Sequence, residues 1–447
     1  MNRNCIGTNK KEINTIFQQY GLMPLRKILT SNDFEKVAKE TIKGKSRKRV
    51  FTPEIVFWLI SLVGITCDSM GIALEKAWEQ IRPVDDEMPC LPASKAAFTK
   101  SRKKLPVKFF QKVSDSVLEY FRKRYSSQGY WKGLRVKIVD GVTINLPESK
   151  ELRKKFGANR NKHEKISSPV QANMVCLFWA FLGICDGFAI GSLRMSEKTG
   201  LLNLLELLKK GDLLLGDRYY PGYELFCAII KRDIEFLFRL KKGIKPERLE
   251  KIGKRDWLVN YKAPKSKRNK FSEEITLRLI SYDIRGFRTS YLLTTLVDAK
   301  EYSKEEIIKL YVERWQIETR YNELKHMINI EELRSHTKNG IMKEIITHIT
   351  VANLVRIVMI EAAEKEGIKA TDLSYKRALE KVKNTVMIMM QSSVYHLNLI
   401  YNRMIKEIGQ MKILKRPGRR YPRQKKKRLV SSSKVKLFVE VSYAKAA

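Results

Sequence analysis

Cysteine is scarce in this 447-residue sequence, and its six cysteines are irregularly spaced. No two of them form a C-x-x-C pair, and no histidine follows them at the spacing of a zinc finger. Disulfide bonds and structural zinc are therefore not expected, and free thiols buried in the core are the simplest interpretation. The six are Cys5, Cys67, Cys90, Cys176, Cys185 and Cys227.

The sequence also lacks a long uncharged apolar run of roughly 18 residues, the length that a membrane-spanning helix needs. The longest such runs, residues 55–67 and 169–185, are shorter than that. The N-terminus has no apolar segment that ends in a small-residue cleavage site, so export is not indicated. A cytoplasmic location is expected.

Acidic residues are too few to balance the basic ones, since 48 Asp and Glu face 88 Lys and Arg and leave a formal net charge of +40. This surplus predicts a polyanionic partner that is held by phosphate contacts and released counterions. Nucleic acid is the leading candidate, and an anionic membrane surface is the rival. Basic clusters at 43–49, 100–106 and 412–428 concentrate the charge. One cluster alone is typical of a solvated face, but together they indicate phosphate contacts.

The apolar content of 43% is enough for a sizeable core, and the length predicts two or three domains. Residues 1–128 are predicted as a helical N-terminal DNA-binding domain. Within it, Thr52 is placed to cap a helix whose first residue is Pro53, ahead of a buried apolar segment.

The pattern changes near residue 129, where apolar residues begin to alternate with polar ones. The segment LRVKIVDGVTINLP has the pair Asp140-Gly141 at its centre, so it is predicted as two strands joined by a tight turn. Residues 169–192 are rich in β-branched and aromatic residues and predict two more strands.

A helix is predicted next, because Ser196 is a suitable N-cap and Gly211 a suitable end. A short buried strand then ends at Asp217, and another helix follows Pro221. This order of strands, helix, strand and helix predicts an α/β layer over residues 129–230.

The remaining sequence divides into three parts. Residues 231–300 are strand-like with polar loops and are predicted as a β-rich insertion. Helix returns over residues 301–360, where Ser303 and Glu306 form a capping box of the S-x-x-E type. Residues 361–447 are predicted as a helical C-terminal region with a basic tail.

Two acidic residues are candidates for catalysis because of where they stand. Asp140 and Asp217 each follow a buried apolar strand, and an acid at the carboxyl end of such a strand can project into the active-site crevice of an α/β sheet. Each also has a simpler interpretation. Asp-Gly is a common turn, and Asp217 could cap the following helix.

A third acid belongs to the segment YVERWQIETRYNELK, residues 311–325. Tyr311, Arg314, Glu318 and Lys325 follow the spacing Y-x₂-R-x₃-E-x₆-K. At about 100° per residue, they lie within roughly a 60° arc of one helix face. The simpler alternative is an exposed helix stabilised by pairs such as Arg314–Glu318.

Three carboxylates on three different elements, in a chain suited to polyanions, indicate a metal-dependent phosphoryl-transfer site. Asp140, Asp217 and Glu318 are hard oxygen ligands of the kind that Mg²⁺ or Mn²⁺ prefers. Two such ions, about 4 Å apart, can activate a water or a 3′-hydroxyl and stabilise the leaving oxygen of a phosphodiester.

The other three polar residues on the helix face of Glu318, which we call the signature stripe, are Tyr311, Arg314 and Lys325, and they are expected to contact DNA. Arg314 and Lys325 would hold neighbouring phosphates, the first bidentately and the second as a mobile point charge. Tyr311 would donate a hydrogen bond to a phosphate or stack on a displaced base.

In this combination the residues resemble the DDE transposases of bacterial insertion sequences, in the family numbered four, which carry a Tyr-Arg-Glu-Lys signature. The signature spacing, the segments VDGVTINLP and GDRYYPGYELF, and the basic tail all contribute to a resemblance that covers roughly residues 50–430. It implies an α/β, ribonuclease-H-like core in which Asp140, Asp217 and Glu318 bind metal, interrupted by a β-rich insertion.

The resemblance also implies partners and a reaction. The protein would bind the terminal repeats of its element as a homodimer on paired ends, free a 3′-hydroxyl at each end and join it to target DNA. Arg160, Lys162 and Lys165 would line the DNA channel. Trp257 is a candidate for holding a flipped base if a hairpin forms.

Two other functions remain open from the sequence. A structure-specific nuclease would use the same three acids without strand transfer, and an inactive transposase-derived protein would bind DNA without metal dependence. The five histidines share no helical spacing with the acids and have no assigned role.

Overall fold

The computed structural model describes residues 27–43, 51–66, 95–160, 166–241, 243–263, 274–283, 289–390, 394–414 and 435–443, with Leu25, Gly71, Ile72 and Glu75 as isolated positions. Of the three basic clusters, the one at 100–106 lies within these ranges. The cluster at 43–49 beyond Lys43, and the basic tail beyond residue 414, lie outside them.

The described residues form a mixed α/β fold with one large sheet and many helices. The helices are α1 Ser31–Thr41, α2 Pro53–Thr66, α3 Lys95–Lys104, α4 Val107–Tyr125, α5 Lys150–Lys155, α6 Glu197–Leu202, α7 Tyr223–Ile230, α8 Lys304–Val312, α9 Gln316–His326, α10 Lys338–Lys365, α11 Tyr375–Met390 and α12 Val394–Gly409. The strands are β1 Tyr130–Trp131, β2 Leu134–Leu146, β3 Ala158–Arg160, β4 Ile166–Trp179, β5 Cys185–Gly191, β6 Asp212–Gly216, β7 Glu235–Arg239, β8 Glu247–Gly253, β9 Asp256–Tyr261, β10 Ile275–Tyr282, β11 Ser290–Thr294 and β12 Val439–Val441.

The sheet has the strand order β12-β5-β4-β2-β6-β7-β11-β10-β9-β8, with β1 beside β2 and β3 beside β4. β2 runs parallel to β6, and β6 runs parallel to β7. The strands on either side of this parallel centre pair antiparallel. The four strands β8 to β11, which follow β7 in the chain, continue the same sheet beyond β7. The parallel centre puts the carboxyl ends of β2, β6 and β7 at one edge.

The predicted turn at Asp140-Gly141 is wrong, because both residues lie inside β2, a single strand of 13 residues. Asp140 pairs with Cys176 and Gly141 with Val175 in an unbroken antiparallel ladder to β4. Ten consecutive pairs of this ladder outweigh the local turn preference of an Asp-Gly pair.

Several helix starts are confirmed, but two helices differ from prediction. The side chains of Ser196 and Ser303 cap α6 and α8, and the capping box with Glu306 is present. The helix after Ser196 ends at Leu202 and is followed by a short 3₁₀ turn, so it stops well before Gly211. The signature helix is interrupted by a 3₁₀ turn at Glu313–Trp315, between α8 and α9.

The C-terminal region is not wholly helical. After α11 and α12, the strand β12 pairs antiparallel with β5 and closes that side of the sheet. The Ser442 side chain accepts a hydrogen bond from the main-chain N–H of Phe188 at 2.9 Å, which holds the segment in place. The helical prediction missed this strand because its three residues carry too little pattern.

The long helix α10 is the central element of the helical layer. It packs against α2, α4, α11 and α12. By length and composition it could cross a membrane, but its most apolar window is completely buried inside the protein. Its apolar character is therefore that of a core helix. Three cysteines of the described residues, Cys176, Cys185 and Cys227, are buried and form no disulfide bond.

Candidate active site

Asp140 and Asp217 lie just beyond the segment in which two parallel strands pair, Asp140 inside β2 and Asp217 directly after β6. The last registered pair of β2 and β6 is Ile138 with Leu215, and each aspartate stands two residues beyond it. Because neighbouring strands are about 4.8 Å apart, this register brings the two carboxylates into one neighbourhood. The strand order therefore joins residues that are far apart in the sequence.

The carboxyl group of Asp140 is largely buried, with 21% of its side chain exposed. Its Oδ1 accepts a hydrogen bond from the main-chain N–H of Gly141 at 2.8 Å, and its Oδ2 lies 3.7 Å from Nη1 of Arg314. Burial, together with the carboxylates of Asp217 and Glu318, raises the pKa of Asp140 to about 6, against the lowering effects of the Gly141 N–H and Arg314. Both other predicted acids therefore act electrostatically on Asp140.

Asp217 begins the loop that follows β6. Its Oδ1 accepts a hydrogen bond from the main-chain N–H of Tyr219 at 2.7 Å, which is an Asx turn. The alternative that Asp217 caps the next helix is excluded, because α7 begins at Tyr223 with Gly222 at the N-cap position. The turn instead presents Asp217 at the sheet edge.

Glu318 lies in the first turn of α9, and its side chain is exposed at the rim of the cluster. Two contacts fix this helix against the sheet. The hydroxyl of Tyr321 donates a hydrogen bond to the main-chain carbonyl of Asp140 and accepts one from the main-chain N–H of Cys176 at 3.2 Å. Because Tyr321 is three residues after Glu318 on the same helix, its hydrogen bond to Asp140 holds this turn of α9 next to the first aspartate.

A fourth acid, Glu197, adjoins this cluster and was not predicted. It is the first residue of α6, and its side chain lies over Gly141: a Cβ atom at Gly141 would stand 2.4 Å from Glu197 Cγ. Oε2 of Glu197 is buried and has no hydrogen-bond partner among the described residues. Burial, followed by the charges of Asp140 and Asp217, raises the pKa of Glu197 to about 7.

The sequence gives little reason to single out Glu197. An acid next to an N-cap serine is common, because it interacts favourably with the helix dipole. The glycine at position 141 was the more informative residue, since it leaves the space that the Glu197 side chain fills. Only the folded chain shows that the two belong together.

The remaining residues of the signature stripe are held by protein contacts. Arg314 is 7% exposed, and its guanidinium lies 4.8 Å from the Trp315 ring. Tyr311, which was expected to contact DNA, is 4% exposed, and its hydroxyl donates to the main-chain carbonyl of Gly216 at 3.2 Å. It thereby holds the residue that precedes Asp217.

Lys325 contacts β2 three residues beyond Asp140. Its Nζ donates to the main-chain carbonyl of Thr143 at 2.8 Å and is 3.2 Å from a carboxylate oxygen of Glu331. The amino group is therefore close to the strand that carries Asp140.

The predicted channel residues are only partly described. Arg160 ends β3, but the position of its side chain lies outside the described part of the structure. Lys162 and Lys165 both lie outside the described residues. Trp257 belongs to β9, where it pairs with Leu279, and its ring lies 4.1 Å from the guanidinium of Arg248.

The donor set fits hard divalent cations. All four acids of the cluster offer carboxylate oxygens, the ligands that Mg²⁺ and Mn²⁺ prefer. Oε2 of Glu197 is buried and unpartnered among the described residues, and burial and then mutual repulsion raise the pKa values of Asp140 and Glu197. Both observations indicate a place where added positive charge would stabilise the protein. Among the described residues, no three His, Cys, Asp or Glu side chains converge closely enough to form a preassembled metal site.

Known proteins resemble this chain over most of its length. The transposase InsG for insertion sequence element IS4 of Escherichia coli (strain K12) is 26% identical over 397 residues, which are 86% of this chain and 87% of the relative. A solved structure described as the piggyBac transposase synaptic complex with hairpin DNA aligns with a TM-score of 0.42 and 11% identity, over 89% of this chain and 86% of the other. That second similarity is too low to establish a shared fold.

Residues 131–354, half of the chain, match the family described as "Transposase DDE domain". The matched range includes β2, β6 and α9, the elements that carry or precede the three predicted acids. This match and the relative define a DNA transposase. More narrowly, the chain belongs to the family of DDE transposases, enzymes that cleave and transfer DNA strands and generally use divalent metal ions.

Proposed function

We propose that Asp140, Asp217 and Glu318 are the catalytic carboxylates of this transposase and that they bind two Mg²⁺ or Mn²⁺ ions. The observation that carries the proposal is the strand register that puts Asp140 and Asp217 at one sheet edge. The Tyr321 hydrogen bond to the carbonyl of Asp140 adds support, because it brings the helix of Glu318 to the same edge.

The protein's own residues hold and orient the DNA. When bound, the ions supply Lewis-acid stabilisation for the attacking and leaving oxygens of a phosphodiester. Arg314, 3.7 Å from Asp140, contacts the phosphate next to the one that reacts, and Lys325 contacts a phosphate further along the strand. Tyr311 acts as a positioning residue, because its hydroxyl holds Gly216 and thereby the Asp217 loop. No side chain forms a covalent intermediate.

The catalytic core is ribonuclease-H-like. Three antiparallel strands, β5, β4 and β2, followed by the parallel strands β6 and β7, support this assignment. The core comprises residues 129–230 and 301–360 together with β7, and the β-rich insertion predicted at 231–300 is represented by the strands β8 to β11. A helical DNA-binding domain at 1–128 precedes it, and residues 361–447 follow it with the helices α11 and α12, a basic tail and the strand β12. Arg160, Lys162 and Lys165 line the DNA channel.

The reaction has two steps, both in the cytoplasm of the bacterial host. Hydrolysis at each end of the insertion sequence frees a 3′-hydroxyl, and that hydroxyl then attacks target DNA. The terminal repeats are bound by a homodimer, so that the two ends are paired before cleavage. The net charge of +40 supports extensive phosphate contacts with both duplexes.

The test is cleavage of a duplex that carries the element's end, with Mg²⁺, by the wild-type protein and by Asp217→Ala. The wild type should cleave the end, whereas the variant should bind with unchanged affinity and not cleave. Asp233→Ala is a matched control, because Asp233 is an exposed acid in the turn after α7. Equal cleavage by the wild type and Asp217→Ala would remove Asp217 from the mechanism.

A precleaved end separates transposition from simple nuclease action. The wild type should join its 3′-hydroxyl to a second duplex, and Glu318→Gln should not. Cleavage without joining would instead favour a structure-specific nuclease. Binding without either activity would indicate a transposase-derived DNA-binding protein.

A further inference from the structure

A wide cationic groove lies between the end of α3 and the start of α10. The cavity has a volume of about 1040 Å³. Seven of the described residues that line it are Lys or Arg, and Glu151 is the only acid among them. The seven are Lys95, Arg102, Lys103, Lys104, Arg334, Lys338 and Lys343.

Buried contacts between α3 and α10 hold one wall of the groove in place. Lys343 is 4% exposed, and its Nζ donates to the main-chain carbonyls of Arg102 at 2.9 Å and Lys103 at 3.4 Å. Arg102 in turn forms an ion pair of 2.7 Å with Glu344, which is also buried. These contacts bind the last turn of α3 to α10. The exposed lysines that follow are therefore presented in a defined position.

Much of the positive charge in the groove is not compensated. Lys95, Lys103 and Lys104 are exposed, and none of them forms an ion pair with a carboxylate of the described residues. The start of α10 adds a partial positive charge, because Thr337 caps this helix of 28 residues inside the groove. Glu151 accepts a hydrogen bond from the main-chain N–H of Lys338 at 2.8 Å. This single carboxylate offsets only part of the positive charge of the groove. The electrostatic potential in the groove is therefore positive, as a site that binds a polyanion requires.

The groove is connected to the candidate active site through β2. Leu146 stands six positions after Asp140 in the strand, which is about 20 Å at roughly 3.3 Å per residue. Just beyond the strand, the hydroxyl of Ser149 donates to the main-chain carbonyl of His336, a residue of the groove, at 2.8 Å. Lys325, bound to the carbonyl of Thr143, lies between the two sites.

We propose that this groove binds backbone phosphates of the element-end duplex, on one side of the bond that is cut. The inference deepens the proposed function and rests on it for the position of the cleavage point. At about 3.4 Å of helix rise per base pair, a separation of about 20–30 Å corresponds to roughly six to nine base pairs. A duplex being cut at Asp140 extends over this distance, whereas a target duplex need not.

The first test removes charge from the groove and leaves its wall intact. Lys103→Gln/Lys104→Gln should weaken binding of an end-containing duplex about tenfold at physiological salt. It should also reduce the slope of log K against log salt by about 2, since each phosphate contact contributes about one. Thermal denaturation should show an unchanged fold, because both side chains are exposed.

A charge-matched control is available on α11. Lys376 and Arg377 are exposed and follow Tyr375, whose ring lies 4.8 Å from the guanidinium of Arg356. Arg356 is 18 residues along α10 from Lys338, a distance of about 27 Å. Lys376→Gln/Arg377→Gln should therefore keep the wild-type affinity and salt slope. An equal loss in both double variants would overturn the proposal, because it would show only the effect of net charge.

The second test locates the contact. Ethylation of single phosphates should interfere with wild-type binding six to nine base pairs from the cleavage point, and this interference should disappear in Lys103→Gln/Lys104→Gln. A variant that binds and cleaves the end normally but fails to join it to target DNA would overturn the proposal in favour of a target groove. Binding and interference need no catalysis, so a wild type that binds without cleaving would refute the proposed function alone.

Discussion

The hydroxyl of Tyr321 donates a hydrogen bond to the main-chain carbonyl of Asp140. This contact joins α9, which carries Glu318, to the strand that carries the first aspartate. The same hydroxyl accepts a hydrogen bond from the main-chain N–H of Cys176, which lies on β4 opposite Asp140. One side chain therefore links three segments that must keep their relative positions for the acids to act together.

Tyr321→Phe should keep the ring and lose this link. We expect end cleavage to fall by about tenfold to a hundredfold, because small displacements of catalytic groups have effects of this size, while DNA affinity stays unchanged. The free energy of unfolding should fall by about 1–2 kcal/mol for the lost hydrogen bonds. Single-turnover cleavage and chemical denaturation measure the two effects.

Tyr401→Phe is the matched control for this prediction. Its hydroxyl also donates a hydrogen bond, to Glu361 at 2.6 Å, and its side chain is buried on α12. It should lose similar stability and retain cleavage. A similar loss of cleavage in both variants would show that general destabilisation is responsible.

Glu197→Gln should make the metal-free protein more stable above neutral pH. The pKa of Glu197 in the folded state, about 7, lies above that of an unfolded glutamate. The charged carboxylate therefore destabilises the fold, and stability is lost as the pH rises from about 4.5 to about 7. The variant lacks this loss, so its advantage should grow from near zero at pH 4 to about 1–2 kcal/mol at pH 8.

The measurement is chemical denaturation with a chelator present at both pH values. Glu224→Gln is the control, because Glu224 stands in the first turn of α7 with an exposed side chain. It should show no such pH-dependent advantage. An advantage of equal size in the control would remove the acidic cluster as the cause.

Local features of this chain could be predicted from its sequence. The capping box of Ser303 and Glu306 depends on hydrogen bonds between residues three positions apart, so a short segment contains all the information. The position of Asp217 after a buried apolar strand was likewise visible, because a strand pattern is local. The resemblance to DDE transposases added the family, which the family match confirms.

Features that depend on long-range packing could not be predicted. Asp140 and Gly141 have the composition of a turn, yet pairing with β4 keeps them in a strand. Glu197 joins the cluster only because α6 packs over Gly141. Tyr311 shares a helix face with Arg314, but burial against Gly216 determines its contacts. In each case the partner is far away in the sequence.

The buried carboxylate of Glu323 should be essential for the position of α9. It accepts two hydrogen bonds from Arg320 at 2.8 and 2.9 Å and two from Arg356 at 2.5 Å, and all three side chains are buried. Glu323→Ala would leave two guanidinium groups uncompensated in the interior. We expect the free energy of unfolding to fall by about 3–5 kcal/mol, with end cleavage reduced because Glu318 stands on the same helix.

Two controls distinguish an unpaired charge from lost packing. Glu119→Ala removes an exposed ion pair with Lys123 and should cost less than about 1 kcal/mol. The triple variant Arg320→Met/Glu323→Leu/Arg356→Met removes all three charges and should regain most of the stability lost in Glu323→Ala. A triple variant as unstable as the single one would show that packing, not charge, causes the loss.

His348 should make the protein less stable in acid. Its ring lies in α10 against Gly64, where an added Cβ would stand 2.5 Å from the imidazole, and burial lowers its pKa to about 4. The unfolded chain takes up a proton below about pH 6.5, while the folded chain does not until about pH 4. Stability is therefore lost as the pH falls through this window, by up to about 3 kcal/mol.

His348→Gln removes this contribution, so the stability of the wild type relative to the variant should fall by about that amount between pH 7 and pH 4. The raised pKa values of Asp140 and Glu197 act in the opposite direction but are common to both proteins, so the comparison cancels them. His326→Gln, at an exposed position on α9, should behave like the wild type. Parallel pH profiles of the wild type and His348→Gln would show that the imidazole takes up its proton at the same pH in the folded and unfolded chains, and would contradict the prediction.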